Sequence, residues 1–242
     1  MVGMKNTSYS PVILRSGLQI YPFCSFDDLL DYAEGQSRIL VAVNAEKIIH
    51  ATDRTRNLIN RGIGYCDGTG AVKVMKQYGR RDAVKLPGCE LWLKVVERYH
   101  RKGGSFYLVG SRQEVIEAVV IRLRQDYPGI CIAGYRNGYL GSEAEKQQLI
   151  DDIAERRPDV VFVAMGSPKQ ELLMEEMLQR HTALYEGLGG SFDVYAGRVE
   201  RAPRWWLDHN LEFAYRLLRQ PSRITRQVFL FKFYLLLLLR RL

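Results

Sequence analysis

The stretch VVFVAMGSPKQE (160–171) carries the fold in miniature. Its first half, VVFVAM (160–165), is a short apolar run rich in β-branched residues, the pattern of a strand. Gly166 and Ser167 interrupt it, and Pro168 suits the first turn of a helix, which places Lys169 and Gln170 near that helix's N-terminus. Glu171 complements the helix dipole there. Five more runs share the strand pattern: ILVAVN (39–44), IGYC (63–66), SFYLVG (105–110), ICIAGY (130–135) and ALYEGL (183–188). Helical segments separate them, notably 90–101, 113–127 and 142–156. In the second, Val115, Ile116, Val119, Val120 and Leu123 make one apolar face. In the third, Ser142 and Glu145 read as a capping box. Repeated strand–helix units predict an α/β, Rossmann-like fold, a mostly parallel sheet with helices on both faces.

The ends of the chain depart from that rhythm. VILRSGLQIYPF (12–23) reads as a small edge hairpin, and Ser25 with Asp28 as the cap of the next helix. After Tyr195 the alternation stops and Arg-rich helical sequence begins, so the expected division is a catalytic core over 1–196 and a helical, membrane-associating appendage over 197–242. From Arg201 onward, nine Lys/Arg face two acids, +7 of the chain's +8 formal charge. Such a segment meets an anionic partner. Leucines and aromatics interleave with the cations in FLFKFYLLLLLRRL (229–242), which suits the interface of an anionic bilayer better than a nucleic-acid groove. The run 228–239 is too short to span a bilayer and contains Lys232. A basic tail without a nucleic-acid-binding motif argues against a nucleic-acid partner.

The composition, 47% hydrophobic and 26% charged, is that of an ordinary α/β body. The N-terminus lacks an apolar run with a cleavage site, so the expectation is a cytosolic body. The four cysteines and four histidines are scattered without metal-ligand spacing, and no protein-built metal site is expected. Cys66 and Cys131 are expected to be buried in strands.

In an open parallel sheet the ligand lies beyond the carboxyl ends of the strands. Those ends hold Asn44 to Lys47, Asp67 to Gly70, Gly110 to Arg112, Gly166 to Glu171, and Gly189 to Asp193, expected to converge on one cleft. Gly110-Ser111, between strand and helix, reads either as a phosphate cradle or as a plain turn. Asp67, followed by glycines, reads as a general base for a hydroxyl or as a helix N-cap. No GxGxxG is completed, against a dinucleotide oxidoreductase.

Taken together, NAEKI (44–48), DGTGAV (67–72), MGSPKQE (165–171), GLGGSFDVYAGRVERAPRWW (187–206) and YRLLRQPSR (215–223) resemble the WecG/TagA/CpsF glycosyltransferases, glycosyltransferase family 26. The wording is most similar to the branch that moves N-acetylmannosaminuronic acid. The resemblance implies inverting transfer of a sugar from a UDP-sugar donor to a polyprenyl-diphosphate-linked saccharide, without cofactor or essential metal. It also implies peripheral attachment to the cytoplasmic face of the inner membrane. N-acetylmannosaminuronic acid, N-acetylmannosamine and glucose stay open as the sugar, and self-association stays open too. By position Asp67 matches the family's base and Gln170 its active-site glutamine, while Arg216, Arg219, Arg223 and Arg226 match its arginine-bearing appendage. Asn44, Thr69, Lys85, Gly110, Ser111, Gly166, Lys169 and Gly190 complete the expected substrate-binding set. Ala42 and Lys85 depart from teichoic-acid members, which carry threonine and arginine there; lysine keeps the charge without the bidentate fork.

The implied step is one displacement: the acceptor hydroxyl, deprotonated by Asp67, attacks the anomeric carbon as UDP leaves, its charge met by backbone N–H groups and the appendage arginines. Arg216, Arg219 and Arg223 share a helix face interrupted by Pro221, and a purely lipid-contacting face is their other reading. For a uronic acid donor, Lys47, Lys85 and Lys169 are the unranked candidates to meet its carboxylate. A non-catalytic, membrane-associated nucleotide-sugar-binding adaptor is the alternative. Truncation after Tyr195 is expected to cost membrane binding and catalysis, truncation after Gln227 mainly the first.

Overall fold

The computed structural model describes residues 9–200, 202–209, 214, 215, 217 and 224–242, and only the backbone of 207, 208 and 224–228. The chain runs β1 (Val12–Ile13), β2 (Gln19–Ile20), α1 (Phe26–Ala33), β3 (Ile39–Val43), α2 (Ala45–His50), α3 (Asp53–Arg61), β4 (Ile63–Cys66), α4 (Thr69–Gln77) and α5 (Gly88–Arg101). It continues through β5 (Ser105–Gly110), α6 (Gln113–Asp126), β6 (Cys131–Arg136), α7 (Glu143–Arg156), β7 (Val160–Ala164), α8 (Lys169–Arg180), β8 (Leu184–Gly187), α9 (Ser191–Tyr195), α10 (Arg204–Asp208) and α11 (Ile224–Leu238). The six predicted strands are β3 to β8, within a residue or so of the expected limits. They form one sheet in the order β4-β3-β8-β7-β5-β6, every pair parallel.

Side chains alternate across this sheet, so β3, β4, β5, β7 and β8 each feed two cores. Val41, Val43, Val161, Val163 and Tyr185 pack under α2, α3, α4, α7 and α8. Leu40, Phe106, Phe162 and Leu184 pack under α1, α5, α6 and α9. Both faces are covered, which is why the strands read as continuous apolar runs. β1 and β2 form the expected antiparallel hairpin, carried to the sheet's edge by a parallel bridge between Tyr21 and Tyr65.

Ser25 caps α1 by accepting from the Asp28 N–H at 3.0 Å. The Ser142 half of the capping box forms, with its hydroxyl accepting from the Glu145 N–H. The Glu145 carboxylate instead takes the Gly141 N–H and Arg136 at 2.7 Å, because the charged guanidinium of neighbouring β6 is the stronger donor. Cys66 is buried but Cys131 is exposed, correcting the expectation for the latter: among the described residues β6 is the last strand of the sheet, with no neighbour beyond it.

The tail folds back on the body. Phe233 of α11 is fully buried and Leu237 nearly so, both in the core beneath α2 and α4. Gln77 donates to the Leu237 carbonyl at 2.6 Å and the Tyr78 hydroxyl to that of Leu242 at 2.7 Å. The His50 and Phe229 rings meet edge-on at 4.2 Å, and Lys73 lies over the Tyr234 ring. The other face of α11 leaves Phe231, Leu235 and Leu238 exposed, and Leu239 just past its end is exposed too. Among the described residues no helix is long and apolar enough to cross a membrane.

Candidate active site

A cleft of about 970 Å³ opens at the carboxyl ends of β3, β4, β7 and β8. Its position follows from topology. From β3 the chain steps outward to β4, whereas β8, β7, β5 and β6 lie on the other side, and loops leaving β3 and β8 part to leave a crevice. Asn44, Lys47, Asp67, Gly166, Gln170 and Gly190 are among the residues lining it.

Asp67 follows β4 directly and its N–H donates to the Val43 carbonyl at 3.1 Å, extending the ladder by one residue. Its Oδ1 accepts from the N–H of Gly88, the first residue of α5, at 2.8 Å. The N-cap of α4 is Gly68, and among the described residues no side chain caps that helix; the carboxylate is held across the cleft floor by another helix's N-terminus, where the dipole favours an anion. A Cβ at position 88 would lie 2.9 Å from the Tyr65 Oη and 3.6 Å from Asp67 Oδ1. Glycine is therefore what lets α5 come this close. Burial, then the Glu186 and Asp67 carboxyls, push the Tyr65 phenol well above its ordinary value, so it stays protonated.

Gln170, 4% exposed, lines the cleft while serving as a clamp. Its Oε1 accepts from the Gly166 N–H at 3.1 Å and from the Gly189 N–H at 2.9 Å, tying the loop after β7 to the loop after β8. Both glycines have positive φ, 78° and 58°, which an L side chain resists. A Cβ at Gly187 would come within 2.4 Å of Gln170 Nε2. That amide nitrogen donates to Glu171 Oε1 at 3.3 Å, and the same oxygen takes Lys47 Nζ at 2.7 Å. The pair joins α8 to α2 and answers a carboxylate that burial alone would disfavour. Sequence reading gave Glu171 only a helix-dipole role; its partner lies 124 residues away.

The structure brings Asn44, Asp67, Gly166, Gln170 and Gly190 together at the cleft. Asn44 caps α2, accepting from the Lys47 N–H at 3.0 Å. Thr69, Lys85, Gly110, Ser111 and Lys169 stand outside its lining. The Ser111 N–H is spent on the Ala164 carbonyl at 3.0 Å, and a Cβ at Gly110 would strike the same carbonyl oxygen at 2.3 Å. Ser111 reaches the cleft at one remove, donating from Oγ to Asp193, a lining residue, at 3.1 Å. Arg216, Arg219 and Arg223 lie outside the described residues, and of Arg226 only the backbone, in α11, is described. Of the three lysines set against a donor carboxylate, Lys47 alone lines the cleft. Gly88, His50, Thr52 and Thr55 also line it and were missed; the Pro87-Gly88 pair before a helical run was the available signal for the first.

A doubly covered parallel sheet, with an anchored carboxylate and glycine loops meeting at its switch point, has the build of an open-sheet α/β enzyme. The family model of the glycosyl transferase WecG/TagA/CpsF family matches residues 21–242, and the chain belongs to that family. The match extends through α11, so the docked tail is part of the family's domain.

Proposed function

We propose that this glycosyltransferase moves a sugar from a UDP-sugar to a polyprenyl-diphosphate-linked saccharide, with inversion at the anomeric carbon, in bacterial surface polysaccharide synthesis. The observation that carries the reading is Asp67: a carboxylate at a strand end, inside the cleft, with one oxygen fixed by the Gly88 N–H. A base so held keeps its orientation as the acceptor hydroxyl approaches. The reaction then needs charge stabilisation on the diphosphate side. The Gly166 and Gly189 N–H groups are already taken by Gln170, so this duty shifts toward cations, and Arg216, Arg219 and Arg223 are the arginines the sequence offers. The exposed ridge of Phe231, Leu235, Leu238 and Leu239, with Arg240 and Arg241 beside it, fits the cytoplasmic leaflet, where a lipid-linked acceptor resides. The reaction is read as independent of a resident metal, and a chelator is expected to leave the rate unchanged.

The test offers UDP-N-acetylmannosaminuronic acid, UDP-N-acetylmannosamine and UDP-glucose with short-chain diphospholipid-linked saccharide acceptors, following UDP release and the product's anomeric configuration. One donor should turn over, with Asp67→Asn slower by about 10²- to 10⁴-fold. Absence of turnover with every pair overturns the reading.

A further inference from the structure

Among the described residues, four buried side-chain oxygens have no hydrogen-bond partner: Tyr65 Oη, Glu171 Oε2 and both carboxyl oxygens of Glu186. Of these three residues only Glu171 lines the cleft. It sits in the first turn of α8 and is 4% exposed. The two donors that reach it, Lys47 Nζ at 2.7 Å and Gln170 Nε2 at 3.3 Å, both go to Oε1. Gln170 is itself fixed by the Gly166 and Gly189 N–H groups, so the carboxylate is oriented from two sides while Oε2 is left unmet. A carboxylate accepts at about four lone-pair positions, and a buried charged acceptor without a donor is costly. A brace between α2 and α8 alone would gain from a second donor on Oε2; a binding site gains from keeping that oxygen for a ligand. The last torsion of a glutamate is soft, so the carboxyl group can turn toward a ligand without moving α8.

We propose that Glu171 is a substrate-binding residue, its Oε2 accepting a hydrogen bond from a hydroxyl of the UDP-sugar donor while Lys47 and Gln170 hold the carboxylate in place. A hydroxyl fits because it brings a donor hydrogen without charge, whereas a phosphate or carboxylate would meet another anion. Lys47 balances Glu171, so the pair accepts a hydrogen bond without adding net charge near the donor's diphosphate. Two parts of the donor carry hydroxyls, the ribose and the transferred sugar, and either offers this chemistry. Such a contact selects strongly, because a ligand without the hydroxyl leaves the buried oxygen unmet. The proposal rests on the reading of the donor as a UDP-sugar.

Calorimetric titration of the full chain, without acceptor, provides the test. UDP is compared with 2′-deoxy-UDP and 3′-deoxy-UDP for the ribose, and with UDP-glucose, UDP-N-acetylmannosamine and UDP-N-acetylmannosaminuronic acid for the sugar. In wild type, losing the hydroxyl that meets Oε2, or the sugar that carries it, should weaken binding by about 10- to 100-fold, the range for a hydrogen bond to a charged group. Lys47→Met with Glu171→Met replaces the ion pair by apolar side chains, a swap that folds usually tolerate; this double variant should bind the full and the truncated ligand alike. Glu171→Gln leaves Lys47 in place and should lose most of the same difference, which assigns it to the carboxylate. A difference between ribose forms puts the hydroxyl on the ribose and one between UDP and a UDP-sugar puts it on the sugar; either supports the proposal. A brace with no ligand contact moves both affinities together, so a difference that survives in the variants, or wild-type binding indifferent to every change, overturns it. Absence of binding by all of these nucleotides overturns the donor reading with it, whereas binding without the expected difference overturns this proposal alone.

Discussion

The carboxyl ends of β5 and β7 look alike in sequence, each an apolar run closing on a glycine and a serine, yet one lines the cleft and the other does not. After β7, Gly166 hands its N–H to Gln170 and stays at the cleft. After β5, Ser111 gives its N–H to the Ala164 carbonyl, which makes the turn an extension of the sheet. The difference teaches that a glycine turn becomes a site by where its neighbours go: β8 lies next to β7 and sends Gly189 to the same glutamine, while β5 is followed inward by β7 and outward by β6. The same test separates β3 and β4, whose ends are braced from outside by the tail.

Breaking that brace should have the largest effect. Phe233→Ala removes a fully buried ring from between α2 and α4, at a cost of about 3–5 kcal/mol in unfolding free energy. By the same logic truncation after Gln227 should destabilise the β3 and β4 side of the cleft as well as weaken lipid binding, a broader loss than the tail's sequence suggests. A variant Phe233→Ala with unchanged urea midpoint would detach α11 from the fold. Next comes the clamp: Gln170→Ala frees both glycine loops, and misplacement on the order of an ångström costs about 100-fold in turnover, with a smaller fall in melting temperature. Equal turnover would show that the loops after β7 and β8 hold themselves. The smallest effect belongs to the β5 end. Ser111→Ala deletes one hydroxyl hydrogen bond to Asp193, about 0.5–1 kcal/mol, and should leave turnover within about fivefold; a larger loss would bring the β5 turn back into the site.

Much of this was legible in advance. The six strands and the polar strand ends follow from apolar runs of strand length separated by helical periodicity, a local signal set by burial on both faces. Asp67 was visible as a carboxylate at a strand end, but whether it capped α4 or faced a substrate depended on Gly88, 21 residues on. Glu186 was visible too, as an acid inside an apolar run, without any local sign that it would be fully buried. Lys47 and Glu171 each had an adequate local explanation, and only their encounter across the cleft gave them another.

The sequence by itself therefore determined the elements, the family and the residues available for chemistry, because periodicity, capping and turn preferences act over a few residues. Tertiary structure decided which of those residues meet. Strand order placed β8 between β3 and β7, assembled the cleft from four strand ends, left the β5 turn outside it, and laid the basic tail's apolar face against α2 and α4. These outcomes depend on packing between segments far apart in the chain, where the energy comes from shared burial and from hydrogen bonds that no single segment can complete alone.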